Sequence, residues 1–99
     1  MNIKVTKGDE KTILALSGRL DATTSPQFQE ALMPNLGNNQ HVELDLSKLA
    51  YISSAGLRVL LMGEKKAAVQ GGSQTLVNVS PDVMQVFEMT GFSKVLHFE

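Results

Sequence analysis

Residues 41–80, HVELDLSKLAYISSAGLRVLLMGEKKAAVQGGSQTLVNVS, change their apolar period twice. In HVELDLSKL, Val42, Leu44 and Leu46 alternate with His41, Glu43 and Asp45, the period of a strand with one buried face. From about Ser54 to Gln70, Leu57, Leu60, Leu61 and Ala68 recur at helical spacing, and Gly71-Gly72 supplies a C-terminal cap. SQTLVNVS then reads as a strand again. A strand, a helix and a strand in that order predict a crossover joining parallel neighbours in one sheet.

The flanks extend the pattern. Ile3 and Val5 alternate in a first strand, Lys7-Gly8-Asp9 supplies a turn, and TILALSGRL is nearly continuously apolar from Ile13 to Leu16. That continuity predicts a central strand covered on both faces, with Gly18 marking a bulge or close backbone approach. In DATTSPQFQEALM, Ser25 before Pro26 predicts a helix N-cap, Phe28, Leu32 and Ala31 the buried stripe, and Pro34 an end or kink near Met33. Ser80-Pro81-Asp82 repeats that start for a short helix with Val83, Val86 and Phe87 inward, ended by Gly91 and followed by a last strand, KVLHF.

The predicted order is β-β-α-β-α-β-α-β, an α/β fold with a mixed, mainly parallel sheet entered through an antiparallel pair. The polar row His41, Glu43, Asp45 predicts that one sheet face is partly open, with the helices largely on the other. At 99 residues the expectation is a single domain spanning 1–99. Apolar residues make up 42% and charged residues 19%, as in a soluble globular chain. The start Met-Asn-Ile-Lys-Val has no basic leader, and no apolar run reaches the roughly 18 residues of a membrane span. A cytoplasmic location away from membranes is the expectation.

The chemistry of sites is sparse. A net charge of −1 gives no footprint for nucleic acid. With no cysteine, thiolate metal sites and thiol nucleophiles are absent. His41, Glu43 and Asp45 share a strand face, but alternation on a half-exposed strand accounts for them without a metal. His97 has no acid–base partner near it in sequence. SSAG is not the G-x-S-x-G nucleophile elbow, and QGGSQ follows a helix where a phosphate cradle precedes one. These residues assemble no enzyme and imply no cofactor.

Ser53 and Ser54 remain. They stand where a strand gives way to a helix, followed by the small residues Ala55 and Gly56. Serine there commonly caps the helix. It also stands at the C-terminal end of a strand, where α/β folds present functional groups, and at the positive end of a helix dipole that tolerates a phosphate.

LDLSKLAYISSAGLRVLL resembles the signature of STAS domains, specifically the stand-alone bacterial anti-sigma factor antagonists. The likeness extends through LSGRLDATTSPQFQEAL and VSPDVMQVFEMTGFSKVLHF, nearly the whole chain. The resemblance implies a STAS fold and partner switching. The unphosphorylated antagonist binds an anti-sigma factor that is also a serine kinase, phosphorylation releases it, and a serine phosphatase reverses the change. The family's phosphoacceptor precedes a small residue and the motif glycine, a position held here by Ser54. Asp21 in GRLDATTS matches a family acidic residue near the acceptor. Many members have aspartate where this chain has Ser53, which leaves a second hydroxyl in reach. Asp21, Ser53, Ser54 and Gly56, with Arg58 and Met62 at i+4 and i+8 from Ser54, are the expected partner surface. The alternative is a non-switching STAS subunit of a transport or other multiprotein complex.

Overall fold

The computed structural model describes residues 1–99. Strands β1 (Asn2–Lys7) and β2 (Thr12–Leu20) form an antiparallel pair. Then follow α1 (Ser25–Leu32), a 3-10 turn (Met33–Leu36), β3 (His41–Ile52), α2 (Ser54–Gln70), β4 (Ser73–Val77), α3 (Pro81–Thr90), a 3-10 turn (Phe92–Lys94) and β5 (His97–Phe98). The strands lie side by side in chain order, with β2 through β5 parallel.

Parallel connections within one sheet are right-handed almost without exception, so three parallel steps in one direction put α1, α2 and α3 on the same face. Their inward residues Phe28, Leu32, Leu57, Leu60, Val83 and Phe87 share one core with Leu14, Leu16 and Leu20 of β2, Val42, Leu44 and Leu46 of β3, and Leu76 of β4. On the opposite face Ile13, Ala15, Glu43, Asp45, Thr75 and Val77 are only half-buried. β2 is therefore covered on one face, not two as its apolar run predicts, because Ile13 and Ala15 turn toward the open side.

Two register shifts interrupt the β2–β3 ladder, between Ala15 and Ser17 and between Gly18 and Arg19. Gly18 takes φ +100°, the conformation its place in the strand foreshadowed. The shifts change the inward spacing on β3 from two residues to three, so Leu49 and Ile52 also face the core.

Helix α2 has the predicted bounds, with Gly71 left-handed at its C-cap and its N–H donated to the Ala67 carbonyl. Its buried stripe is rotated from the expectation. Gly56, Leu57, Val59, Leu60, Gly63 and Ala67 are buried, whereas Leu61 is half-buried and Ala68 exposed. One buried polar side chain sets this packing. Gln74 of β4 donates from Nε2 to the Leu60 carbonyl at 2.9 Å, and a side chain on Gly63 would collide with its Oε1.

The chain's end departs from the predicted KVLHF strand. After Gly91 it curls so that the Val95 and Leu96 N–H groups both reach the Phe92 carbonyl, leaving only His97 and Phe98 to pair with β4. Phe98 then packs edge-on to Phe87, with centroids 5.4 Å apart. His97 has a partner the sequence hid: its Nδ1 lies 3.0 Å from Glu64 Oε2 on α2.

Candidate functional site

Strands β2 and β3 end level, Leu20 beside Ile52, and the ladder continues one step further as the Ser53 N–H donates to the Leu20 carbonyl at 2.9 Å. That bond sets the loop after β2 against the start of α2. Asp21 and the serine pair, 32 and 33 positions apart in sequence, thereby open onto the same end of the sheet.

The loop is organised by Asp21. Its Oδ1 accepts from the Thr23 and Thr24 N–H groups at 3.0 and 3.1 Å, while Thr24 Oγ1 donates to the Arg19 carbonyl at 2.8 Å. The Thr24 N–H leads the contacts that hold the Asp21 carboxyl below its ordinary range, followed by those from Thr23 and the Thr24 hydroxyl, with Arg19 adding a smaller pull. Ser25 is not the N-cap its position before Pro26 suggested. It is the buried first residue of α1, its Oγ donating to the Asp21 carbonyl at 2.6 Å, and Thr24 holds the cap position. The Asp21 turn outcompetes serine capping because it satisfies two N–H groups at once.

Arg19 lies with its guanidinium carbon 4.1 Å from the Tyr51 ring centroid and its Nε 3.9 Å from Asp21 Oδ2. Sequence patterning missed this exposed pair, since only the shifted register brings Arg19 opposite Tyr51.

Ser53 is the N-cap of α2, extended at φ −104°, ψ 176°, and its carbonyl accepts the Leu57 N–H at 3.0 Å. Its hydroxyl does no capping. Oγ accepts no helix N–H, is shut off from solvent and has no partner. Ser54, by contrast, is exposed. Gly56 is buried: a Cβ there would lie 2.6 Å from Leu20 Cγ and 3.0 Å from Ile52 Cγ1. Its place in an exposed partner surface is therefore corrected. It lets α2 sit down on the strand ends that carry the site.

Arg58 is exposed and Met62 half-buried, both one or two turns along from Ser54. Beside them a shallow apolar groove runs between α2 and the end of α3, lined by Ser54, Leu57, Arg58, Leu61, Thr90 and Phe92. Leu61 belongs to this groove, which explains its incomplete burial. Thr90 and Phe92 come from 30 residues further on and carried no signal in the sequence.

The polar row on β3 holds no metal cluster. Glu43 pairs with Lys11 at 2.8 Å, His41 Nδ1 with Ser73 Oγ at 2.7 Å, and Asp45 accepts from the Ser47 N–H and from Asn78 Nδ2. No three metal-ligating side chains converge anywhere, and no helix is long and apolar enough to cross a membrane.

A family model described as "Mlab, STAS domain" matches residues 3–97. The chain belongs to the STAS domain family. Among curated proteins, "Putative anti-sigma factor antagonist BtrV" of Bordetella bronchiseptica is 34% identical over 96 residues, covering 96% of this STAS chain and 83% of that protein. The "Anti-sigma-B factor antagonist" of Bacillus subtilis is 26% identical, covering 97% and 88%. Among solved structures, an anti-sigma-factor antagonist (STAS) domain protein from Planctomyces limnophilus superposes with a TM-score of 0.85 at 22% identity, covering 97% of this chain and 87% of its own. The Bacillus cell fate determinant SpoIIAA in its phosphorylated form gives 0.75 at 18% identity, covering 99% and 91%. These likenesses establish a STAS fold built as β-β-α-β-α-β-α-β.

Proposed function

We propose that this STAS domain is an anti-sigma factor antagonist that works by partner switching. Unphosphorylated, it binds an anti-sigma factor with serine kinase activity through the corner formed by the Asp21 loop, Ser54, Arg58 and the adjoining groove. The kinase transfers the γ-phosphoryl group of ATP to Ser54 Oγ, ADP departs, the hydroxyl proton passes to solvent, and the complex separates. A serine phosphatase restores the binding form.

The single observation that carries this reading is an exposed Ser54 at the first turn of a 17-residue helix, on the rim of an apolar groove. The helix end tolerates the charge of roughly −1.5 to −2 that phosphorylation adds, so the fold survives. A partner seated on Leu57, Leu61 and Phe92 meets that charge at its edge and loses affinity. The Ser53 hydroxyl is the poorer acceptor, because its Oγ rests turned away from solvent while that of Ser54 stands exposed.

Incubation with the kinase-type anti-sigma factor and ATP, followed by fragmentation mapping, tests the assignment. Phosphate is expected on Ser54, lost in Ser54→Ala and retained in Ser53→Ala. Full incorporation in Ser54→Ala would move the acceptor to Ser53. No incorporation in the wild type would favour a constitutive subunit of a larger complex.

A further inference from the structure

Ser53 poses a chemical problem that the phosphorylation reading leaves open. Buried hydroxyls nearly always have a hydrogen-bond partner, and each exception calls for a reason. Ser53 stands at the N-cap with the extended backbone that serine capping uses, yet its Oγ bonds to nothing and reaches no solvent. The N–H groups of Ser54, Ala55 and Gly56 also lack an acceptor in the protein, since the first bond of the helix runs from the Leu57 N–H to the Ser53 carbonyl. One unused hydroxyl, on Ser53, and the unused donors of the first turn therefore lie on either side of the exposed Ser54 side chain's attachment to α2.

We propose that Ser53 is a positioning residue for the phosphate on Ser54, its Oγ–H donating to a phosphate oxygen. This rests on the phosphorylation reading above. Serine turns about a single side-chain torsion among three staggered positions, and the Ser53 hydroxyl breaks no existing hydrogen bond when it turns. A dianionic phosphate supplies acceptors only, and the Ser53 hydroxyl and the first-turn N–H groups can all donate to it. The O–H···O⁻ bond it forms is charge-assisted and strengthens as the phosphate loses its second proton. In the unmodified chain the hydroxyl is idle; in the modified chain it fixes the phosphate against α2 and favours the dianion.

The test places phosphoserine at position 54 by genetic-code expansion, so that no kinase is needed, and follows its second ionisation by ³¹P NMR. An exposed phosphoserine titrates near 6. The wild-type chain is expected to titrate lower, and Ser53→Ala to move the midpoint up by about half a unit to one unit. Ser53→Thr, which restores a hydroxyl, is expected to return it. Ser53→Gly provides a second hydroxyl-free chain with an acceptable N-cap backbone. Thermal melts add an independent reading: Ser53→Ala should lower the melting temperature of the phosphorylated chain and leave that of the unphosphorylated chain unchanged or raised. A ³¹P midpoint unmoved in both hydroxyl-free chains, or equal destabilisation of the two forms, would overturn the proposal. Failure of a kinase to modify Ser54 would instead refute the switching function and leave this titration unaffected.

Discussion

Gly56→Ala sets two opposing effects against each other at the base of the site. Alanine is favoured over glycine in a helix by about 1 kcal/mol, so propensity alone predicts a more stable protein. The added methyl, however, would sit 2.6 Å from Leu20 Cγ, 2.9 Å from Leu20 Cδ2 and 3.0 Å from Ile52 Cγ1. Leu20 is wholly buried and Ile52 is 3% exposed, so neither has open space to move into. Forcing a methyl into such packing typically costs about 1–3 kcal/mol, and here all three contacts are below ordinary van der Waals distance, placing the cost toward the upper end. The expected balance is a loss of about 1–2 kcal/mol. At about 4–8 °C per kcal/mol for a domain near this size, the melting temperature should fall by roughly 5–15 °C. Urea melts of wild type, Gly56→Ala, Leu20→Ala and the double variant separate the terms. Relief of the clash should make the double variant at least about 1 kcal/mol more stable than the sum of the single losses. A Gly56→Ala chain more stable than wild type would refute the claim that this glycine seats α2 on the strand ends.

The two leucines of α2 should behave differently. Leu57→Ala, at a site 5% exposed, should cost about 2–4 kcal/mol in denaturant melts, and Leu61→Ala about 1–2 kcal/mol. Equal losses would mean that the groove is filled core. Asp21 and Asp45 both carry folded-state carboxyls held low, Asp21 chiefly by the Thr24 N–H and Asp45 chiefly by the Ser47 N–H and then Asn78. Their stabilisation is fully present above the unfolded carboxylate range near 3.9 and is lost as pH falls through the lower folded values. Melting temperatures of the Asp21→Asn, Asp45→Asn double variant should thus fall less steeply than wild type below about pH 4; an unchanged acid limb would contradict the assignment. Arg58→Glu should weaken partner binding about tenfold or more with little change in melting temperature, and Met62→Asp should weaken it less, being half-buried beside the groove. Wild-type affinity in both would move the surface to the Asp21 loop.

Local chemistry was legible in the sequence and three-dimensional adjacency was not. The bounds of α2 followed from a strand period giving way to a helical one and from Gly71, all within 30 residues. The capping of α3 by Ser80, whose Oγ accepts the Val83 N–H, is equally local. The same pattern failed at Ser25, where Asp21, four residues earlier, offered the backbone a better turn. The stripe of α2 is misphased at Ala68 because Gly63 and Ala67, too small to register as core, face inward, Gly63 directly against Gln74. The apolar run of β2 could not reveal that one face stays open, since that depends on every crossover stepping the same way. At the site, Ser54 and Asp21 were legible as motif residues. The Arg19–Tyr51 pair, the Phe92 side of the groove and the idle Ser53 hydroxyl depend on register and on neighbours tens of residues away.

The central claim is that charge on Ser54 governs binding without disturbing the fold. Calorimetric titration of the kinase-type anti-sigma factor with the unmodified chain and with the chain carrying phosphoserine at position 54 tests it directly. The account predicts at least about tenfold weaker binding of the phosphorylated chain, a difference of about 1.4 kcal/mol, at an unchanged far-ultraviolet spectrum and a comparable melting temperature. Equal affinity of the two folded forms would contradict it.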